Sequence, residues 1–390
     1  MIRIRTGGLA VALAALLAAC GGGGSDTTTR ANITSVKVMG DSLADVGTFG
    51  IKFTVQGSGS QIYPERVAQT YGLPRGCNFF AFTGTTFVAN PTAGCTNYAV
   101  GGGVINGAGG GLAAADPRNI GVQLAAAAAA GNYAAGDLVV IDGGGNDASN
   151  LVGAYLRGGQ PAPAGDGGAS YVALLGTQLT PAQVGAAAGG GAAGLASAGG
   201  QYMAALADTF YTMIKTQVLD RGAQRVVVLN MPGITNTPRF QAVLDGIAAA
   251  SGGGATGAGA RAQSEALFKG WVQAYNRQLA TRFSGNTAVV VVDTATLFDD
   301  LIASPSQFGL SNVKATACPV TGVGGDGLPS YTFPTCTDAA LSAATPPPGS
   351  SGGAQWWSSY LFSDGFHPTP YGHQLLSQLI AHSLADAGWL

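Results

Sequence analysis

Charge is scarce in this chain. Asp, Glu, Lys and Arg make up 10% of its 390 residues, against roughly 25% in an average soluble protein, and 18 basic residues face 20 acidic ones. With no basic run to neutralise a phosphate backbone, a nucleic-acid partner is not expected. Histidine is rarer still, with three copies at positions 367, 373 and 382. No CxxC spacing accompanies the five cysteines, which leaves zinc-ligand geometry little to draw on. Long apolar runs are missing too. Although 46% of the residues are hydrophobic, no stretch beyond the first twenty residues approaches the roughly 18 apolar residues a spanning helix needs. Glycine, by contrast, is in excess at 63 residues. Its clusters have no G-X-Y period, so collagen is excluded and the excess reads as loops and insertions.

The first 19 residues carry Arg3 and Arg5, then an apolar run from Gly7 to Ala19, the pattern of an export signal. Leu17-Ala18-Ala19-Cys20 resembles the lipobox of bacterial lipoproteins, which implies cleavage before Cys20 and acylation of its thiol. Because Gly21 rather than Asp follows, the same resemblance implies outer-membrane sorting; a plain signal peptide leading to secretion is the simpler alternative. Residues 20–34 then form a lipidated cysteine and flexible tether, and 35–390 a single domain that meets membrane only through the anchor. Cys77, Cys95, Cys318 and Cys336 remain, an even number suited to disulfides in an oxidising space. Equal separations favour Cys77 with Cys95 and Cys318 with Cys336, with two crossed pairings left open.

Short apolar strands are expected at Val36–Met39, Asn97–Val100, Leu138–Ile141, Arg225–Asn230 and Ala288–Asp293. Between them come helical patterns at 63–72, Val122–Ala130, Tyr202–Leu219, Ala262–Phe283 and Pro370–Ala387. Strands that alternate with helices and are apolar throughout predict a parallel sheet between two helix layers. The Gly/Ala-rich segment at about 158–200 reads as an insertion.

Ser42 follows the first strand directly, at the sheet edge where open α/β folds place ligands. A serine hydroxyl needs an adjacent base to take its proton. Of the three histidines, His373 and His382 lie on the last helix, where packing and solvation account for them. His367 lies before that helix, in Asp364-Gly365-Phe366-His367-Pro368, where Thr369 can cap and Pro370 can start the helix. Asp364 can then orient the imidazole as the third member of a nucleophile, base and orienter set. Donors for an oxyanion are available from Gly101-Gly102-Gly103 after the second strand, from Asn146 after the third, and from the Ser42 N–H. Taken singly these residues have plainer readings: Ser42 as a helix N-cap, the glycines as a turn, Asn146 as a turn residue. Asp41, Asp45 and Asp147 read as loop hydrogen-bonders, and the aromatics of 79–87 with Trp356 and Trp357 as core rather than substrate platform.

Four separated blocks, Gly40-Asp41-Ser42-Leu43, Asn97 to Gly102, Gly144-Gly145-Asn146-Asp147 and Asp364 to His367, resemble in order those of the GDSL, or SGNH, esterases and lipases, in particular the larger secreted bacterial branch. Thr48 departs from the Asn often found in that branch. The resemblance implies a flavodoxin-like three-layer α/β/α sandwich with a central five-stranded parallel sheet. It implies Ser42, Asp364 and His367 as catalytic residues, Ser42, Gly102 and Asn146 as the oxyanion hole, and no metal or organic cofactor. The expected activity is hydrolysis of small-molecule or lipid acyl esters through an acyl-enzyme. A carbohydrate acetylesterase, or a noncatalytic surface binding module on the same fold, are the alternatives.

Overall fold

The structure, a computed structural model, describes residues 31–160 and 165–390. The expected signal, Cys20 and most of the tether lie outside the described residues. Four strands form one parallel sheet in the spatial order β1 (Ser35–Met39), β2 (Asp137–Ile141), β3 (Val226–Leu229) and β4 (Val289–Val292). Successive side chains alternate between two cores. Val139 and Ile141 join Val226 and Val228 in the first, while Leu138 and Val140 join Val227 and Leu229 in the second. A strand covered on both faces has no polar side to show, which is why β2 and β3 read as continuous apolar runs. The covering helices include α1 (Tyr63–Thr70), α2 (Ile120–Ala129), α3 (Gly145–Gly158), α4 (Gly191–Gln217), α5 (Gly254–Phe283) and α6 (Pro370–Asp386). Residues of α1 and α6 close the second core, and those of the other four close the first.

The sequence predicts five strands, whereas the continuous ladder has four. Asn97–Val100 runs parallel beside β1, with a bridge to Val38 and a Tyr98 N–H bond to Val38 O at 2.7 Å. It forms no longer regular ladder because Gly40 N–H, the next pairing group after β1, donates to Gln123 Oε1 at 2.8 Å instead of to the neighbouring main chain, although Val100 N–H still reaches Gly40 O at 3.3 Å. The Asn97 side chain ties this segment to the turn that follows β1, through Nδ2 to Ala44 O at 2.8 Å. Counted as the second segment in chain order, it gives the spatial order 2-1-3-4-5, the flavodoxin-like arrangement. In that arrangement a crevice opens at the carboxyl ends of the first and third strands, where the connection reverses direction.

The described part of the Gly/Ala-rich segment is helical. Helices Ala169–Leu175 and Pro181–Gly189 lead directly into α4, which starts at Gly191 rather than at the expected Tyr202. Tyr171, Leu175, Leu179 and Ala198 belong to the first core. The small residues permit close packing: a Cβ on Gly199 would lie 2.2 Å from the Trp271 ring of α5, whose Nε1 donates to Ala196 O at 2.9 Å. Tertiary contact therefore overrides the weak helix preference of glycine here. Disulfides join Cys77 to Cys95 and Cys318 to Cys336, and the latter packs with Phe333, Trp356 and Trp357 in a third apolar cluster. No helix among the described residues is long and apolar enough to cross a membrane.

Candidate active site

Three segments meet at the crevice. β1 ends at Met39, and the chain turns so that Leu43 N–H donates to Asp41 Oδ1 at 3.0 Å and Ala44 N–H to Asp41 O at 3.1 Å, which leaves Ser42 at the crevice wall. The second segment carries Asp364 and His367 between a short strand, Tyr360–Phe362, and α6. This loop is closed on itself: Ser363 N–H donates to His367 O at 2.7 Å, Thr369 N–H to Leu361 O at 2.9 Å, and Thr369 Oγ1 caps α6 by accepting from Gly372 N–H. Within it Asp364 Oδ1 accepts from Phe366 N–H at 2.8 Å and His367 N–H at 2.7 Å, and His367 Nδ1 lies 2.9 Å from both carboxyl oxygens. The other ring nitrogen, Nε2, is 2.7 Å from Ser42 Oγ. The structure thus brings Ser42, His367 and Asp364 into one hydrogen-bonded line.

The third segment is glycine-rich. Gly101 N–H donates to Asp45 Oδ2 at 2.8 Å and Gly103 N–H to Val100 O at 3.0 Å, so both are occupied. Gly102 N–H has no acceptor among the described residues, and Gly102, at φ +76, lines the same cavity as Ser42. That φ lies in the left-handed region open to glycine. Asn146, in the first turn of α3, has its Nδ2 held by Gly103 O at 2.9 Å and lines the cavity as well. Gly145, the first residue of α3, lines the same cavity, so the positive end of that helix adjoins it.

Burial opposes a charge on His367, but the adjacent Asp364 carboxylate outweighs it and lifts the imidazole above its ordinary 6.5. Burial likewise pushes Asp364 up, yet His367 and the two main-chain donors hold it below the usual carboxylate range. Three rings surround the imidazole: Phe53, Phe333 and Phe366, with centroids 5.2, 5.6 and 6.4 Å away. The cavity beside Ser42 has a volume of about 340 Å³, and its walls include Leu229, Met231, Ile234, Leu297, Phe298 and Leu301.

A model of the GDSL-like lipase/acylhydrolase family matches residues 36–380. The chain belongs to that family. It is an ester hydrolase. Two solved structures resemble it: an extracellular lipase from Streptomyces rimosus, 16% identical with a TM-score of 0.39, and a phospholipase A1 from Streptomyces albidoflavus NA297, 14% identical with a TM-score of 0.39. Each match covers 90% of this chain and 99% of the other. No curated protein matches it by sequence.

For this GDSL-family chain, the remaining candidates separate cleanly. Asp45 accepts from Gly47, Thr48 and Gly101 N–H groups, and Asp147 from those of Ile105 and Asn106; both hold loops. Thr48 bonds through its hydroxyl to Ala99 O at 3.2 Å. His373 is buried against the Tyr63 ring and His382 is exposed. Trp356 and Trp357 are buried, whereas Phe82 is 36% exposed, so the hairpin at 80–89 is only partly core. Sequence reasoning missed Gln123, Asp142 and Phe53. The first two had a signal: Gln123 is the lone polar side chain of α2, IGVQLAAAAA, and Asp142 is the acid that ends the apolar run of β2.

Proposed function

We propose that the chain is an exported serine esterase of lipid-like acyl esters, with Ser42 as nucleophile, His367 as general base and then acid, and Asp364 as its orienter. Ser42 Oγ attacks the acyl carbonyl while its proton passes to His367 Nε2. The resulting oxyanion is met by the N–H groups of Ser42 and Gly102 and the side-chain amide of Asn146. As the carbonyl re-forms, His367 gives the proton to the departing alcohol, leaving the acyl group on Ser42. Water then attacks, loses its proton to His367, and the acid departs as Ser42 regains the proton.

The observation that carries the choice of substrate is the apolar cavity adjoining Ser42, which suits an acyl chain longer than acetyl. Each buried methylene contributes roughly 0.8 kcal/mol, so kcat/KM is expected to climb about tenfold per two-carbon extension until the cavity is filled. Hydrolysis of p-nitrophenyl esters from acetyl to palmitoyl, with Ser42→Ala in parallel, tests this. Activity confined to acetyl would favour the acetylesterase, unchanged activity in Ser42→Ala would refute the nucleophile, and a folded protein inert to every ester would favour the binding module. Export through residues 1–19 and acylation of Cys20 complete the reading; two disulfides support an oxidising compartment. Release of a Cys20→Ser variant from the membrane fraction tests the anchor.

A further inference from the structure

The nucleophile turn begins just beyond the end of β1, where the backbone exchanges main-chain partners for side chains. Along β1 the pattern is regular: Val38 N–H donates to Thr96 O at 3.0 Å on one side, and Met39 O accepts from Asp142 N–H at 3.2 Å on the other. At Gly40 the N–H donates to Gln123 Oε1 at 2.8 Å, and Gln123 Nε2 donates back to Gly40 O at 2.9 Å. On the opposite edge Asp41 N–H donates to Asp142 Oδ1 at 2.9 Å. Both side chains are anchored in turn. Gln123 gives its second amide hydrogen to Pro117 O at 2.8 Å, and Asp142 Oδ2 accepts from the Tyr63 hydroxyl at 2.8 Å. Gln123 and Tyr63 are fully buried, Asp142 nearly so. A Cβ on Gly40 would sit 1.8 Å from Asp142 Oδ1, so the fit requires glycine there.

We infer that Gln123 and Asp142, with Tyr63 behind Asp142, are positioning residues for the reaction: they continue the sheet in side-chain form and so fix the direction of Ser42 Oγ and Ser42 N–H. The inference rests on Ser42 being the nucleophile. An apolar residue at 123 would serve the packing of α2 as well, and a buried amide is tolerated only where its hydrogen bonds are made. Here all three are made, and two go to the residue two positions before the nucleophile. Displacing a reacting group by about 1 Å costs roughly a hundredfold in rate.

Gln123→Met keeps the length and apolar bulk but none of the three bonds. Tyr63→Phe removes one hydroxyl. Each full-length variant is measured for kcat and KM on p-nitrophenyl butyrate, for melting temperature, and for the rate at which a p-nitrophenyl phosphonate captures Ser42, read by mass spectrometry. Gln123→Met is expected to lose about a hundredfold in both kcat and capture rate with KM within about twofold. Tyr63→Phe is expected to lose about tenfold in the same pattern. Unchanged kcat and capture in folded Gln123→Met overturns the inference; if that variant does not fold, unchanged values in Tyr63→Phe do so. A lowered melting temperature with full activity per folded molecule has the same consequence. Phosphonate found on a residue other than Ser42 in the parent protein would instead bring down the nucleophile assignment itself.

Discussion

Replacing Asp364 by Asn changes one atom and should nearly abolish turnover while leaving the fold intact. Two main-chain N–H groups, from Phe366 and His367, converge on Asp364 Oδ1 at 2.8 and 2.7 Å. An asparagine therefore keeps its oxygen there, since the opposite orientation would set its NH2 against two donors. Its NH2 then faces His367 Nδ1, where the carboxylate now lies at 2.9 Å. The imidazole must accept at Nδ1 and carry its proton on Nε2, 2.7 Å from Ser42 Oγ. In that tautomer Nε2 cannot take the serine proton. The expected loss in kcat is about 10⁴-fold, or roughly 5.5 kcal/mol at 1.36 kcal/mol per decade. With the loop's main-chain bonds retained, melting should shift by no more than a few degrees. Pre-steady-state release of p-nitrophenol from a short ester reads the acylation step directly. A folded Asp364→Asn protein whose acylation rate stays within tenfold of the parent would refute this account of the base.

Asn146→Ala should lower kcat by about 10² to 10³ with little change in KM, the usual cost of one oxyanion donor; parallel losses in kcat and 1/KM would point to ground-state binding instead. With His367 as the proposed neutral base and its carboxylate partner raising its pKa, kcat/KM should rise with pH through a midpoint above 6.5, and a midpoint below that value would contradict the pairing. Filling the cavity with Leu301→Trp should exclude about two methylenes, ~0.8 kcal/mol each, lowering kcat/KM on a decanoyl ester about tenfold while sparing the acetyl ester. Removing the disulfide with Cys318→Ser and Cys336→Ser, whose sequence separation is 18, should cost roughly 3 kcal/mol in urea denaturation. It should also reduce kcat, because Cys318 N–H donates to Ser363 O at 2.8 Å beside Asp364.

The layers of the fold were legible because β2 and β3 are apolar on both faces and helices separate them; only a parallel sheet between helix layers accommodates that pattern. Asn97–Val100 reads as a strand from its apolar end, but the Gly40 N–H that would extend its pairing goes to the Gln123 side chain, and periodicity carries no trace of such competition. The start of α4 was misplaced for a related reason. Glycines at 191, 194, 199 and 200 place this stretch within the Gly/Ala-rich insertion, although Gly199 is where Trp271 packs closely. At the site, the spacing of Asp364, His367 and Thr369 exposed a loop that organises itself. The assignment of Gly102 over Gly101 could not come from spacing, since it depends on which N–H group Asp45 occupies. Gln123 was missed because its partner lies 83 residues away.

One hydrogen bond, between Ser42 and His367, joins groups 325 positions apart in sequence. Ser42, the proposed nucleophile, sits just beyond the first strand of the sheet and His367, the proposed base, just before the last helix, so the pair meets only once nearly the whole chain has been threaded into place. Contacts of such long range form late in folding, after their loop-closure entropy has been met. Turnover is thus a more demanding gauge of the native state than helix content: detachment of α6 alone, with the sheet still intact, would silence the protein.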